Sequence, residues 1–87
     1  MEIEYTPQAI KDRDYWLKTG NKSVQKKITA LILDILKHPC EGLGKPEGLK
    51  YKLTGKWSRK INETDRIVYE IKENRILLIS RLKGHYK

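Results

Sequence analysis

The hydrophobic positions in the first half of the chain repeat with the spacing of α-helices. Residues 3–5 alternate and predict a short strand, and Thr6-Pro7 predicts a helix N-cap with proline at the first helical position. This helix is expected to end near Gly20, because glycine is favoured after a helix C-terminus. A second helix, with Asn21 as its N-cap and ending at Pro39, is predicted from four apolar residues that form one face: Val24, Ile28, Leu31 and Ile35.

From residue 49 onward the pattern changes to the alternation of β-strands. Segments 49–53, 57–61 and 67–71 alternate, with turns predicted at 54–56, 63–65 and 73–74. Residues 75–79 are nearly all apolar, which is typical of a central strand. The sequence therefore predicts a single α+β domain spanning residues 1–87. In it, an N-terminal strand and two helices pack on one face of an antiparallel sheet.

The alternation also assigns side chains to the two faces of the sheet. One set of positions is expected to face the helices: Tyr51, Ile61, Ile67 and Tyr69. The cations of the same segments then face the other way: Lys50, Lys52, Lys60 and Arg66. Although one β-bulge would break this register, the pattern predicts an open sheet face lined with positive charge.

The net charge of the chain is strongly positive. Its 19 Lys and Arg residues against 11 Asp and Glu residues give +8 at pH 7 over 87 residues. Such a field concentrates polyanions, so nucleic acid is the first expected partner and an acidic protein the second. A basic surface that serves only solubility is the plainer alternative. The lone Cys40 excludes an intrachain disulfide and fits a cytoplasmic location, and no apolar run is long enough for a membrane helix.

Three residue types suit metal-free cleavage of RNA. This reaction needs a base for the 2′-hydroxyl, an acid for the leaving 5′-oxygen and a cation for the charge that develops on the phosphate. Glu47 in the glycine-rich loop 39–48, His85 and Arg66 are suited to these roles in that order. Each also has a plainer interpretation, as a solvated carboxylate, an idle residue near the chain end and a surface ion pair. Tyr86 is suited to stacking on a base.

Other chemistry finds little support in the sequence. No His/Cys cluster has the spacing of metal ligands, so no metal is expected. No glycine-rich phosphate-binding motif is present, so no cofactor is expected either. His38 precedes Pro39 at a helix end and is expected to be structural.

Four motifs resemble, in the same order, those of the YoeB/Txe family of toxins within the wider RelE-like group. Residues 42–50 (GLGKPEGLK) resemble that family's Gly-x-Gly-Lys-Pro-Glu-Pro-Leu-Lys loop. Residues 53–61 (LTGKWSRKI) resemble its Leu-Ser-Gly-x-Trp-Ser-Arg-Arg-Ile strand. Residues 65–69 (DRIVY) are similar to its His-Arg-Leu-Val-Tyr segment, and His85-Tyr86 matches its closing His-Tyr pair. The similarity extends over nearly the whole chain.

The resemblance implies a fold, an activity and partners. The fold is RelE-like, of the microbial-ribonuclease type. The activity is that of a ribosome-dependent endoribonuclease, which cleaves mRNA in the ribosomal A site through 2′-hydroxyl attack and leaves a 2′,3′-cyclic phosphate or the monoester from its opening. A cognate YefM/Axe-like antitoxin, whose disordered tail folds onto the toxin, is implied as a partner. Dimerisation is also seen in the family, so a homodimer is a further expectation.

The resemblance also implies a role for each site residue. Glu47 would be the general base and His85 the general acid. Arg66 would hold the scissile phosphate, and Tyr86 would orient or stack the nucleotide. Supporting contacts to RNA phosphates are expected from three further cations: Lys50, Arg59 and Lys60.

The chain departs from the family pattern near these residues. Gly48 replaces a proline, and Lys60 replaces an arginine and so loses the bidentate geometry of a guanidinium. Asp65 replaces a histidine and is expected to neutralise its neighbour Arg66 in part. Gly84 stands where some members have tyrosine, and the chain extends to residue 87, past the usual terminal tyrosine. None of these changes removes a proposed catalytic residue.

Two non-catalytic functions remain open from the sequence. The basic face would also suit an RNA- or DNA-binding module, and an inactive relative would serve as an antitoxin-binding co-repressor. Loss of cleavage in Glu47→Ala with RNA binding retained would separate the enzyme from the binding module. Growth arrest on expression would separate it from the co-repressor.

Overall fold

The computed structural model of the chain describes residues 1–73 and 75–84. Within them the chain forms β1 (Glu2–Tyr5), α1 (Pro7–Thr19), α2 (Lys22–Lys37), β2 (Glu47–Gly48), β3 (Trp57–Lys60), β4 (Arg66–Lys72) and β5 (Ile76–Arg81). A 3₁₀ turn at Tyr51–Leu53 lies between β2 and β3. The turn predicted at residues 73–74 falls partly on Asn74, which lies outside the described residues.

The strands form one mixed sheet in the order β1-β5-β4-β3-β2. Strands β2 to β5 pair antiparallel with their neighbours, and β1 joins the edge of β5 in parallel, with Glu2 opposite Ile76 and Tyr5 opposite Ile79. Both helices pack against this sheet. The predicted α+β class is therefore confirmed, and the structure adds that the N-terminal strand is parallel to its neighbour.

Both helices begin at the capping residues that the sequence predicts. The Thr6 hydroxyl oxygen accepts a hydrogen bond from the N–H three residues later at 3.2 Å, and Pro7 is the first residue of α1. Gly20 ends α1 at φ +68°, a left-handed conformation that glycine adopts easily. The Asn21 side chain accepts from the N–H three residues later at 3.1 Å and so begins α2. In the described part of the chain, no helix has the length and apolar character needed to cross a membrane.

The core lies between the helices and the sheet. Helix α1 contributes Ala9 and Trp16, and the four residues predicted to form one face of α2 are all buried. The Trp16 indole N–H donates to the Leu82 carbonyl at 2.8 Å, which ties α1 to the chain that follows β5. The sheet and its connections complete the core with Ile61, Ile67, Tyr69, Leu77 and Ile79.

Residues 49–53 do not form the predicted strand. Strand β2 contains only Glu47–Gly48, and the chain then turns at Tyr51–Leu53. Main-chain hydrogen bonds from the N–H groups at positions 53, 54 and 56 to the carbonyls at 50, 51 and 53 close this turn. Tyr51 has φ +59° and is 90% exposed, so the prediction that it faces the helices was wrong.

In β3 and β4 the alternation agrees with the prediction. Ile61, Ile67 and Tyr69 are buried in the core. Lys60 lies opposite Arg66 in the pairing of β3 with β4, and because side chains alternate along a strand, both face away from the helices. We call this side of the sheet the open face; it carries Glu47, Ser58, Lys60, Arg66 and Val68.

Candidate active site

Glu47 and Arg66 approach each other on the open face. The strand pairing places Glu47 opposite Ser58, and Ser58 opposite Val68 in β4. Arg66 Nη1 donates to Ser58 Oγ at 3.1 Å and lies 3.9 Å from Glu47 Oε2. The Glu47 side chain is 56% exposed and that of Arg66 is 16% exposed. A solvent-accessible carboxylate therefore lies beside a guanidinium that a buried serine orients.

Two of the cations assigned to RNA lie on, or close in sequence to, the strands that carry this pair. Lys60 is opposite Arg66 on the same face, and its Nζ lies 3.5 Å from Oε2 of the highly exposed Glu63. Because an exposed ion pair of this kind contributes little to the stability of the protein, the Lys60 ammonium can leave Glu63 and bind a phosphate with little loss of stability. Lys50 is exposed and immediately precedes the 3₁₀ turn that follows β2.

His85 and Tyr86 lie outside the described residues, and the structure describes the chain up to Gly84. The Gly84 N–H donates to Asp65 Oδ1 at 2.7 Å, and the Gly84 carbonyl accepts from the Arg66 N–H at 3.0 Å. The main chain just before His85 is therefore hydrogen-bonded to Asp65 and Arg66.

Asp65 is buried and ionised. Burial by itself raises the pKa of this carboxyl, but hydrogen bonds involving the Gly84 N–H and the side chains of Asn62 and Thr64 outweigh it and hold the pKa below its ordinary value of 3.8. The sequence suggested that Asp65 partly neutralises Arg66. In the structure its carboxylate binds the main chain of Gly84 instead.

Arg59 does not lie on the open face, and its position corrects the expectation that it contacts RNA phosphates. Its side chain is completely buried on the helix side of β3. Nη1 donates to Asp34 Oδ2 at 2.5 Å, Nε donates to the Tyr69 hydroxyl at 3.1 Å, and Nη2 donates to main-chain carbonyls. Because every nitrogen of the guanidinium is bonded within the protein, it is not available to a phosphate.

Arg59 instead fastens the loop that leads to Glu47. Its guanidinium donates to the main-chain carbonyls at positions 38, 41 and 43. The Tyr69 hydroxyl donates to the carbonyl at position 39 at 2.7 Å, and burial raises the pKa of this hydroxyl. These bonds satisfy the polar groups of an irregular segment and make it a fixed support for Glu47.

Asp34 and two glycines shape the same loop. Asp34 Oδ2 also accepts from the Leu43 N–H at 3.0 Å. The hydrogen bond from Arg59, followed by that from Leu43, holds the pKa of Asp34 below its ordinary value of 3.8. A Cβ at Gly42 would overlap the Asp34 carboxylate, and one at Gly44 would lie 2.8 Å from a side chain of α2. Sequence reasoning missed Asp34, because nothing in the helix pattern marks its distant partner.

The open face thus combines groups that suit chemistry on a phosphodiester. Glu47 can accept a proton, the guanidinium of Arg66 can bind phosphate oxygens, and Lys60 adds a second positive charge across the strand pair. Within residues 1–73 and 75–84, no group of three or more His, Cys, Asp or Glu residues is arranged to hold a metal ion.

Comparison with known proteins gives consistent matches over the full length. A family model for the YoeB-like toxin of bacterial type II toxin–antitoxin systems matches residues 5–86. The chain is 42% identical to Toxin YoeB of Escherichia coli strain K12 over 86 residues, which cover 99% of this chain and 100% of the relative.

Solved structures agree with this match. The YoeB/ParE toxin from Agrobacterium tumefaciens superposes with a TM-score of 0.94 at 33% identity, covering 99% of this chain and 100% of that one. The YoeB–YefM complex from Staphylococcus aureus gives 0.87 at 41% identity, and the YoeB dimer from the same organism gives 0.88 at 39%. Each of these two covers 99% of this chain and 98% of the other.

Proposed function

Because the chain belongs to the family of YoeB-like toxins of bacterial type II toxin–antitoxin systems, we propose that it is an endoribonuclease that cleaves mRNA in the ribosomal A site. The observation that carries this proposal is the approach of Glu47 to Arg66 on a cationic sheet face, 3.9 Å apart. An ion pair whose carboxylate is more than half exposed contributes little to the stability of the protein. The same arrangement suits catalysis, because the carboxylate can accept a proton while the guanidinium binds the phosphate.

The reaction proceeds by attack of the 2′-hydroxyl on the adjacent phosphorus. Glu47 accepts the 2′-hydroxyl proton as the new bond to phosphorus forms. Arg66 binds the nonbridging oxygens and stabilises the charge that they gain. The bond from phosphorus to the 5′-oxygen breaks as His85 donates a proton to that oxygen, and a 2′,3′-cyclic phosphate remains on the upstream fragment. Tyr86 stacks on a base next to the scissile bond.

The supporting cations extend the contact with RNA. Lys50 and Lys60 bind phosphates on either side of the reacting one, and Arg59 is not among them because it is buried. The natural substrate is mRNA on the translating ribosome, so the protein acts in the cytoplasm.

The protein partners follow from the solved relatives. A YoeB–YefM complex is known for a relative that is 41% identical, and a YoeB dimer for one that is 39% identical. We therefore extend a YefM-like antitoxin and a homodimeric state to this chain. An acidic antitoxin segment lying across the open face would block Arg66 and Lys60 together.

The proposal is tested by cleavage of mRNA on programmed ribosomes, with the cut sites and the end groups mapped. The wild type is expected to cut in the A site and to leave 2′,3′-cyclic phosphates. Glu47→Gln and His85→Gln are each expected to lower the single-turnover rate by at least about 100-fold while ribosome binding is retained. Arg66→Lys is expected to lower it as well, because a bidentate contact is lost.

Matched controls separate this mechanism from general effects. Glu41→Gln removes the same charge from an exposed position in the same loop, and His38→Gln makes the same exchange at an exposed histidine; both should cleave normally. Wild-type protein that binds ribosomes or RNA tightly but cuts nothing would overturn the proposal in favour of a binding module. Undiminished cleavage by Glu47→Gln would overturn the role of Glu47.

A further inference from the structure

The chain between β5 and His85 is anchored by hydrogen bonds at two residues, Leu82 and Gly84. The Leu82 N–H donates to Asp12 Oδ2 at 2.9 Å, and the Leu82 carbonyl accepts from the Trp16 indole at 2.8 Å. Two residues later, the Gly84 N–H donates to Asp65 Oδ1, and the Gly84 carbonyl accepts from the N–H of Arg66, the first residue of β4. The main-chain polar groups of both residues are therefore bonded, those of Leu82 to side chains of α1 and those of Gly84 to Asp65 and Arg66.

The acceptor of the second anchor is itself held firmly. Asp65 is only 9% exposed, its N–H donates to the Asn62 side chain at 2.7 Å, and its carbonyl accepts from the Ile61 N–H at 2.9 Å. The hydroxyl of Thr64 lies 3.1 Å from the second carboxylate oxygen. Because these bonds hold Asp65 in place, its carboxylate can hold the Gly84 N–H in a defined position.

Gly84 is suited to this anchor because of its backbone conformation. It has φ +76°, in the left-handed region that most residues avoid, and a Cβ there would meet no other atom within 4 Å. Glycine is therefore not needed here to make room for a neighbouring atom, and the positive φ is what favours it. This conformation directs the N–H to Asp65 and the carbonyl to Arg66 at the start of β4.

We propose that Asp65 is a positioning residue for catalysis: by binding the Gly84 N–H, it sets the place from which His85 donates a proton to the leaving oxygen. This inference rests on the proposed function and extends it to a residue outside the reacting groups. Asp65 and Arg66 then act as a unit, because one anchors the chain that carries the acid and the other binds the phosphate. A misplacement of about 1 Å in such an arrangement costs up to about 100-fold in rate.

The test compares Asp65→Ala and Asp65→Asn on two substrates. One mRNA carries the natural 5′-oxygen at the scissile position, and the other carries a bridging 5′-sulfur, which leaves without protonation. Asp65→Ala should lower the single-turnover rate on the natural substrate by about 10- to 100-fold with little change in KM, and the loss should disappear on the sulfur substrate. Asp65→Asn should retain most of the activity, because its amide oxygen still accepts from Gly84.

A matched control and a structural measurement complete the test. Asp14→Ala removes a carboxylate from an exposed position on α1 that does not contact Gly84, and it should leave both rates unchanged. Amide hydrogen exchange measured by NMR should become faster at Gly84 in Asp65→Ala, while the core amides of Leu77 and Ile79 remain protected. His85→Gln should show the same rescue by the sulfur substrate as Asp65→Ala.

The outcomes distinguish this inference from the proposed function. A normal rate for Asp65→Ala on the natural substrate, with faster exchange at Gly84, would overturn the positioning role alone. An equal loss on both substrates would also overturn it, since the defect would then not involve the leaving group. Absence of cleavage by the wild type would overturn the proposed function and this inference together.

Discussion

Tyr51 combines two unfavourable properties at one residue. It is a tyrosine with φ +59°, in the left-handed region, and 90% of it is exposed to solvent. The first property costs on the order of 1 kcal/mol for a residue with a Cβ, and the second means that burial of the ring returns almost nothing. The tight turn between β2 and β3 determines this conformation, because its hydrogen bonds need the chain to reverse within a few residues.

Replacing Tyr51 should therefore stabilise the protein when the new residue tolerates the left-handed region. Tyr51→Gly is expected to raise the free energy of unfolding by about 0.5–1 kcal/mol relative to Tyr51→Ala, measured by urea denaturation. Tyr51→Ala is the matched control, because it removes the same ring and keeps a Cβ. Equal stabilities of the two variants would contradict the strain argument.

At the scale of elements, the loop from α2 to β2 depends on β3 for its shape. The residues that hold it come from α2, β3 and β4, and the central one is the buried guanidinium of Arg59. No helix or sheet bonds order most of this loop, and its main-chain carbonyls at positions 38, 39, 41 and 43 accept from side chains of other elements. The position of Glu47 at the start of β2 thus depends on contacts made on the opposite face of the sheet.

Removing the guanidinium should loosen this loop and lower the stability of the protein. Arg59→Met leaves the Asp34 carboxylate without its cationic partner and the carbonyls at positions 41 and 43 without their side-chain donor, so Tm is expected to fall by more than about 10 °C. The matched control is Arg75→Met at an exposed position, where a shift of less than about 4 °C is expected. A similar Tm for both variants in thermal unfolding followed by circular dichroism would refute the structural role of Arg59.

The sequence predicted those elements whose signals are local. Thr6, Gly20 and Asn21 act within three residues of their own positions, and the helices begin and end where these residues indicated. The segment 49–53 was misassigned, because the alternation of its residues resembles a strand while turn hydrogen bonds determine its path. The parallel pairing of β1 was not predicted, because it joins segments at opposite ends of the chain.

The candidate site was predictable only in part for the same reason. Alternation placed Arg66 and Lys60 on one face, and the resemblance of the loop drew attention to Glu47. For Arg59 the alternation was the better guide, since it shares its parity with Trp57 and Ile61, which face the core side. The bond from Gly84 to Asp65 has no signature in the sequence, because it depends on how β5 lies beside β4.

At the scale of the whole molecule, the charge of +8 determines how the protein meets its partners. The field of a small basic body attracts phosphates before any specific contact forms. Only those cations that replace counterions on the RNA contribute to the salt dependence of binding. The proposed contacts from Lys50, Lys60 and Arg66 are a small part of the total charge, so binding should depend on salt less steeply than the net charge suggests.

This argument gives a measurable slope. Binding of a single-stranded RNA with one 2′-deoxy nucleotide at the cleavage position is expected to weaken with a slope of about −2 in log K against log salt, from about 0.7 per phosphate contact. Lys50→Gln should reduce the magnitude of the slope by about 0.7, whereas Lys18→Gln, at an exposed position on α1, should leave it unchanged. Equal slopes for the two variants in fluorescence anisotropy titrations would argue against a contact from Lys50.

The place of β5 in the sheet also determines when a newly made chain can fold. Glu2 pairs with Ile76, so β1 has no neighbour to join until almost the whole of the described chain has been synthesised. While β5 is still inside the translating ribosome, the sheet lacks its second strand, and the anchor for the residues that follow is also missing. A polypeptide with the proposed activity would therefore acquire it only after β5 has emerged from the ribosome that made it.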